Sequence, residues 1–286
     1  RMTIELAEVR AEQRFGRYGI VIDKARRLAG RASEIKYMPI KAESLYLLGQ
    51  VEERSGMARQ AEKTYVKAAA AATESHNQRL VAQTWTLLTA LTGYRLNQPE
   101  KAESWEMLAE ASLDALSLTD AKPMKAQLQV ARCRVESGRR AWERAIGLCE
   151  EALALRTQLY GAGSPEVAEV LHTMASLYRR QANFDQAMRY YNEALVVEQK
   201  ELGMLHPDIA SELRGLGILL RDQRRYREAQ PRFAEALSIV QKSLGQDHIR
   251  TSDFYLLVGI NLLYLNHVND ALKQLQRCFE IRERSG

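Results

Sequence analysis

The chain has 286 residues, 46% of them apolar and 27% charged, a balance that excludes a disordered polymer. Sixteen glycines and six prolines are too few for an all-β protein with a turn roughly every ten residues. The net charge of +5 is spread thinly, at +5 over 1–100, −1 over 101–200 and +1 over 201–286, which is far from the field of a dedicated nucleic-acid binder.

Residues 1–14 carry three Glu and three Arg and do not read as a secretory signal. Arg1 precedes Met2, as in a piece excised from a longer chain. The most apolar run, 254–265, has 12 residues, short of the roughly 18 a membrane span needs. Three cysteines, Cys133, Cys149 and Cys278, form an odd set without metal-type spacing. They argue against a disulfide framework and for a reducing compartment.

A repeat organises everything between. "NFDQAMRYYNEAL" at 183–195 and "RYREAQPRFAEAL" at 225–237 share an aromatic, an Ala three residues on, and a closing Ala-Leu. In chain order the anchors are Val21, Ala61, Ala102, Ala145, Ala187, Ala229 and Ala271, spaced 40, 41, 43, 42, 42 and 42 residues apart. Pro39, Pro123, Pro165 and Pro207 each lie 22 residues before an anchor, and Gly161, Gly203 and Gly245 follow the second helix of their units. Proline starts a helix at no cost in hydrogen bonds, and glycine closes one in a left-handed conformation. Each unit therefore predicts helix A, a short turn and helix B.

Helix A shows apolar residues at helical spacing beside a small one, as in Leu45/Leu48/Gly49, Leu171/Met174/Ala175 and Leu213/Leu216/Gly217. Helix B carries two small residues seven apart, on one face, so that backbones can approach closely. Tyr18, Trp142, Phe184 and Tyr226 mark the turns and are read as packing residues. The expected fold is all-α: about seven helix-turn-helix units stacked along 1–286 as one right-handed superhelix.

The pattern resembles the tetratricopeptide repeat, in the 42-residue variety of kinesin light chains. "VAEVLHTMASLYRRQANFDQAMRYYNEALVVEQKELGMLHPDIA" and "IASELRGLGILLRDQRRYREAQPRFAEALSIVQKSLGQDH" carry the resemblance. The N-terminal "RYGIVIDKARRLAGRASEIKYMPIKAESLYLLGQVEERSG" is similar to the repeat region of myxobacterial-type Ser/Thr kinases. No Gly-rich phosphate loop, His-Arg-Asp or Asp-Phe-Gly motif is present, so kinase chemistry attaches to no residue here.

No other catalytic motif appears. His206 and His248 lie 42 apart in one linker slot and read as turn elements, and Cys278 reads as a buried thiol in the small-residue slot. No metal or cofactor is expected, and no enzymatic activity.

The resemblance implies a peptide groove lined by helix A. Carried over residue by residue, it consists of Tyr46, Gln50 and Glu53; Arg132; His172, Ser176, Arg179 and Arg180; and Arg214, Ile218, Arg221 and Asp222. The Lys and Asn that clamp a C-terminal carboxylate in chaperone-type repeats are replaced here by His172, Thr173, Ser176 and Arg180. The paired Asn of kinesin light chains is likewise absent, with Leu171-His172-Thr173 and Leu213-Arg214-Gly215 in its place.

The arginines suit an acidic or phosphorylated peptide; the alternative is a solvated face whose arginines pair with neighbouring acids. The expected role is a non-enzymatic protein-binding scaffold of a larger bacterial signalling protein such as a Ser/Thr kinase. A peptide-responsive domain governing a fused DNA-binding or ATPase domain is the alternative. Nucleic acid is not expected as a partner. Leu272, Leu275 and Phe279 leave the last helix without a polar cap, which suggests further repeats, a cap, or a second copy there. A cytoplasmic location is expected, with the periplasmic side of a membrane-anchored kinase as the alternative.

Overall fold

The computed structural model describes residues 2–15, 18–35 and 37–285. Fourteen α-helices and no strand occur among them: α1 Met2–Arg14, α2 Tyr18–Glu34, α3 Met38–Arg54, α4 Ala58–Glu74, α5 Gln78–Ala90, α6 Pro99–Asp114, α7 Leu118–Gly138, α8 Trp142–Tyr160, α9 Pro165–Arg180, α10 Phe184–Leu202, α11 Pro207–Asp222, α12 Tyr226–Leu244, α13 Ile249–Tyr264 and α14 Val268–Ser285. Odd helices are helix A and even ones helix B. Two compact units result, the bulk of one running from Ile20 to Ala162 and the bulk of the other from Gly163 onward.

Packing follows the 42-residue register. The paired small residues of helix B, Ala61/Ala68, Ala102/Ala109, Ala145/Ala152, Ala187/Ala194 and Ala229/Ala236, are all fully buried. Sixteen positions apart, a small residue of helix A faces a large one of helix B. A Cβ on Gly49 would stand 2.6 Å from the Tyr65 ring, one on Gly217 2.5 Å from the Phe233 ring, and one on Gly259 2.8 Å from Leu275. The large residue fills the hollow its partner leaves open, at the close density of protein interiors.

In the fourth hairpin the same two slots hold Cys133 and Cys149. They form a disulfide with Cα atoms 5.5 Å apart, both residues fully buried. This corrects the expectation of no disulfide. The odd count concealed a pair that the register places face to face, while Cys278 stays a buried thiol as expected. A covalent bond thus replaces the small-to-large contact of the other hairpins. Closing a loop of 16 residues contributes about 3 kcal/mol. Reduction is expected to lower the urea midpoint accordingly, and Cys133→Ala/Cys149→Ala should reproduce that loss and be insensitive to reductant. Equal midpoints with and without reductant would show that the bond contributes nothing.

The turns between helix A and helix B also repeat. Arg140, Ala182, Arg224 and Asn266, 42 apart, take φ of 60–62°. In each, the next amide reaches back five residues, as Asn183 N does to Tyr178 O at 2.9 Å and Arg225 N to Leu220 O at 2.8 Å, the Schellman closure of a helix. Gly161, Gly203 and Gly245 end their B helices as expected, but with ψ of 153–157° beside φ of 81–100°. That region belongs to glycine alone and turns the chain more openly than the left-handed helical conformation.

Pro39, Pro165 and Pro207 lie in the first turn of their helices. Pro123 does not. α7 starts at Leu118, capped by Ser117, whose hydroxyl accepts from Asp120 N, and Pro123 sits inside it. α5 passes into a π-helical segment at Leu91–Arg95, where Gly93 leaves room for Val135. Trp142, Phe184 and Tyr226 are half-buried at their turns, whereas the Tyr18 side chain lies outside the described residues.

His206 and His248 serve as N-caps. Their Nδ1 atoms accept from Asp208 N at 3.3 Å and Arg250 N at 3.1 Å. Burial first, and then the Arg250 charge, hold the His248 imidazole below its ordinary 6.5. The unfolded chain therefore takes up the proton first as pH falls. The stabilisation by His248 is complete above about 6.5 and is lost as pH drops from there to the lowered folded value, since the protonated ring can no longer accept. His248→Asn, a cap that does not titrate, should flatten the fall in melting temperature between about pH 7.5 and 5. An unchanged pH slope would remove the cap from the account.

Candidate functional site

The second unit gathers most of the expected groove residues on the face shared by α9 and α11. His172 Nδ1 lies 2.5 Å from Glu212 Oε1, and Arg179 Nη1 donates to Asp222 Oδ2 at 2.6 Å. Both links join helix A of one hairpin to helix A of the next. Between them stands Tyr191 of α10. Its ring meets the His172 ring edge-on at 5.5 Å, its hydroxyl is 2.9 Å from Ser176 Oγ, and it bonds the Arg179 guanidinium. Burial pushes this hydroxyl above its ordinary range. Gly215 makes the arrangement possible, because a Cβ there would stand 2.4 Å from the Tyr191 ring.

Glu212 is the residue that sequence reading missed. Its side chain is 2% exposed, and Oε2 has no hydrogen-bond partner among the described residues. The same slot holds buried Val170 and Phe254 in the neighbouring repeats. Burying a carboxylate where the repeat uses hydrocarbon is costly, and the cost is recovered only through its partner. A carboxylate accepts, so Nδ1 carries the proton toward it, and Nε2 of the half-buried imidazole remains for another group. The signal was present once α11 is set against α9 and α13.

The other expected residues fall as follows. Arg180 is exposed and Arg214 half-buried, and neither side chain makes a hydrogen bond or ion pair with another described residue. Arg221 lies over the Phe233 ring, 5.8 Å from its centroid, and Ile218 is half-buried against the core of the second unit. In the first unit Gln50 Nε2 donates to the Tyr46 hydroxyl at 3.2 Å, and Tyr65 donates to Glu53 Oε2 at 3.0 Å. Tyr46, Gln50 and Glu53 thus occupy the slots that His172, Ser176 and Arg179 occupy in the second unit. Burial and the Glu53 charge push both tyrosine hydroxyls upward.

Arg132 stands apart from the groove slots. In register it matches Met174 and Leu216, and it faces α6, where Nε donates to Glu106 Oε1 at 2.7 Å and Nη2 pairs with Glu110. Arg139 is bound in the same way to Glu103 and Glu136. Of the expected arginines, Arg132 and Arg179 are committed to acids within the chain, and Arg180 and Arg214 are not.

The sequence profile of the tetratricopeptide repeat matches residues 124–196 and 208–284, together more than half of the chain. The chain belongs to the tetratricopeptide repeat family. No curated protein matches this tetratricopeptide sequence. Among solved structures, BtubC (BKLC) from P. vanneervenii is 17% identical with a TM-score of 0.53, over 99% of this chain and 92% of its own. A Rap protein complexed with competence and sporulation factor is 12% identical with a TM-score of 0.70, over 99% of this chain and 75% of its own. NprR in complex with its cognate peptide NprX is 14% identical with a TM-score of 0.67, over 96% of this chain and 76% of its own. At these identities the tetratricopeptide fold is what is shared.

Proposed function

We propose that this tetratricopeptide chain is a non-enzymatic peptide-binding scaffold, and that an acidic or phosphorylated segment of a partner lies on the α9–α11 face. One observation carries the reading: buried Glu212, set in a hydrocarbon slot, holds His172 in one orientation on a pair of helices that also carry Arg180 and Arg214, which have no acid of their own among the described residues. Planar guanidinium groups pair with carboxylate and phosphate alike. The Rap and NprR structures are peptide complexes on the same fold, which supports the regulatory version, a peptide-responsive domain acting on a fused DNA-binding or ATPase domain.

The Ser/Thr-kinase setting draws on the N-terminal resemblance alone. No helix among the described residues is long and apolar enough to cross a membrane. The Cys133–Cys149 bond favours an oxidising compartment, hence the periplasmic alternative over the cytoplasm. Leu272 and Phe279, 57% and 64% exposed on α14, suit a second copy, which light scattering would detect.

The peptide-binding reading is tested by panning a random dodecapeptide phage library against the whole chain. Specific enrichment is expected, and Arg180→Glu/Arg214→Glu should abolish it while leaving the helical content intact. No enrichment over a bare support, or enrichment indifferent to the double variant, contradicts the proposal.

A further inference from the structure

The three A helices of the second unit carry their outward residues in strict register, and the chemistry changes along the series. One row reads His172, Arg214, Leu256; the next reads Ser176, Ile218, Ile260. The third, in adjacent pairs, reads Arg179 and Arg180, Arg221 and Asp222, Leu263 and Tyr264. Spacings of four and then three or four residues keep each set on one helix face. Leu256 and Ile260 are half-buried, and Leu263 and Tyr264 are 46% and 58% exposed. α9 and α11 thus present Arg180 and Arg214 without partners, while α13 presents hydrocarbon and one phenol. Leu256 rests in part on the core and Tyr264 stacks on the Tyr226 ring at 4.5 Å, so Ile260 and Leu263 are the apolar side chains this face leaves for another chain.

We infer that this face reads a bipartite peptide: an acidic residue held by Arg214 and His172, and a bulky aliphatic or aromatic residue seated on Leu256, Ile260 and Leu263. Neighbouring helices lie on the order of 10 Å apart, which an extended chain crosses in about three residues. The two recognised side chains are therefore about three or four residues apart in the partner. The charge selects and orients, and the apolar seat supplies desolvated contact area. The inference rests on the peptide-binding reading above and adds to it the second, uncharged half of the recognition element.

Sequencing the enriched phage clones tests it. The expected consensus pairs Asp or Glu with Leu, Ile, Phe or Met about three or four positions away. In a synthetic peptide of that consensus, Asp→Asn and Leu→Asn should each weaken binding about tenfold or more by fluorescence anisotropy. Ile260→Glu in the protein should do the same, whereas Arg214→Lys should retain part of the affinity. Because the peptide substitutions leave the protein untouched, they read recognition free of any folding defect. Clones that bind without an acidic residue, or peptides that bind equally after Leu→Asn, overturn the bipartite inference and leave the scaffold reading standing. A library that yields no binder overturns both.

Discussion

Phe233→Ala is expected to cost about 3–5 kcal/mol, the range for emptying a fully buried aromatic site. The ring is 0% exposed, lies against Gly217 of the preceding helix and carries the Arg221 guanidinium over its face. The complementary substitution makes the test specific. Alanine normally improves a helix by about 1 kcal/mol over glycine, yet Gly217→Ala should destabilise by about 1–3 kcal/mol, because its Cβ would sit 2.5 Å from the ring. Gly147 in α8 is the control. A Cβ there meets nothing within 4 Å, so Gly147→Ala should raise stability. Urea unfolding of the three variants decides the matter, and a Gly217→Ala protein as stable as Gly147→Ala would remove the small-to-large contact as the organising unit of the hairpins.

That contact was legible in the sequence at Gly49, Ala175 and Gly217, because the hollow is marked by a missing side chain at a constant register. The seven anchors were legible because each is a fully buried position, small in every hairpin but the first, where Val21 stands. What escaped reading were the places where a slot holds unusual chemistry. Cys133 and Cys149 occupy the small and large slots, yet neither resembles its counterparts. Glu212 looks like one more surface acid until α11 is set beside Val170 and Phe254. Arg132 was carried over to a groove slot in the resemblance, whereas the 42-residue register matches it to Met174 and Leu216, and it pairs with Glu106 and Glu110 of α6. Pro123 shows the limit of a punctuation rule, since Ser117 offered an earlier cap and tertiary packing carried the helix across the proline.

His172→Ala is expected to destabilise the second unit by about 3 kcal/mol, the low end of the cost of stripping a buried charge of its partner. The low end applies because the His172 side chain is 22% exposed, while Glu212 at 2% has nowhere to find water. Glu212→Leu, which restores the apolar slot, should be neutral or stabilising by about 1–2 kcal/mol. In the double variant the loss from His172→Ala should largely vanish, a coupling of about 2 kcal/mol that thermal or urea unfolding can read. Additive effects would mean that the pair is incidental. Binding should behave oppositely: Glu212→Leu frees the imidazole from its fixed orientation and should weaken the phage-selected peptide even as the fold gains stability. A gain in stability with loss of binding is the signature of a residue kept for recognition.

The most direct test of the account is amide chemical-shift mapping of the whole chain with its best phage-selected peptide. Perturbations are predicted to cluster on α9, α11 and α13, around His172, Arg214 and Ile260. Perturbations confined to α10, α12 and α14, or to residues 2–162, would contradict it.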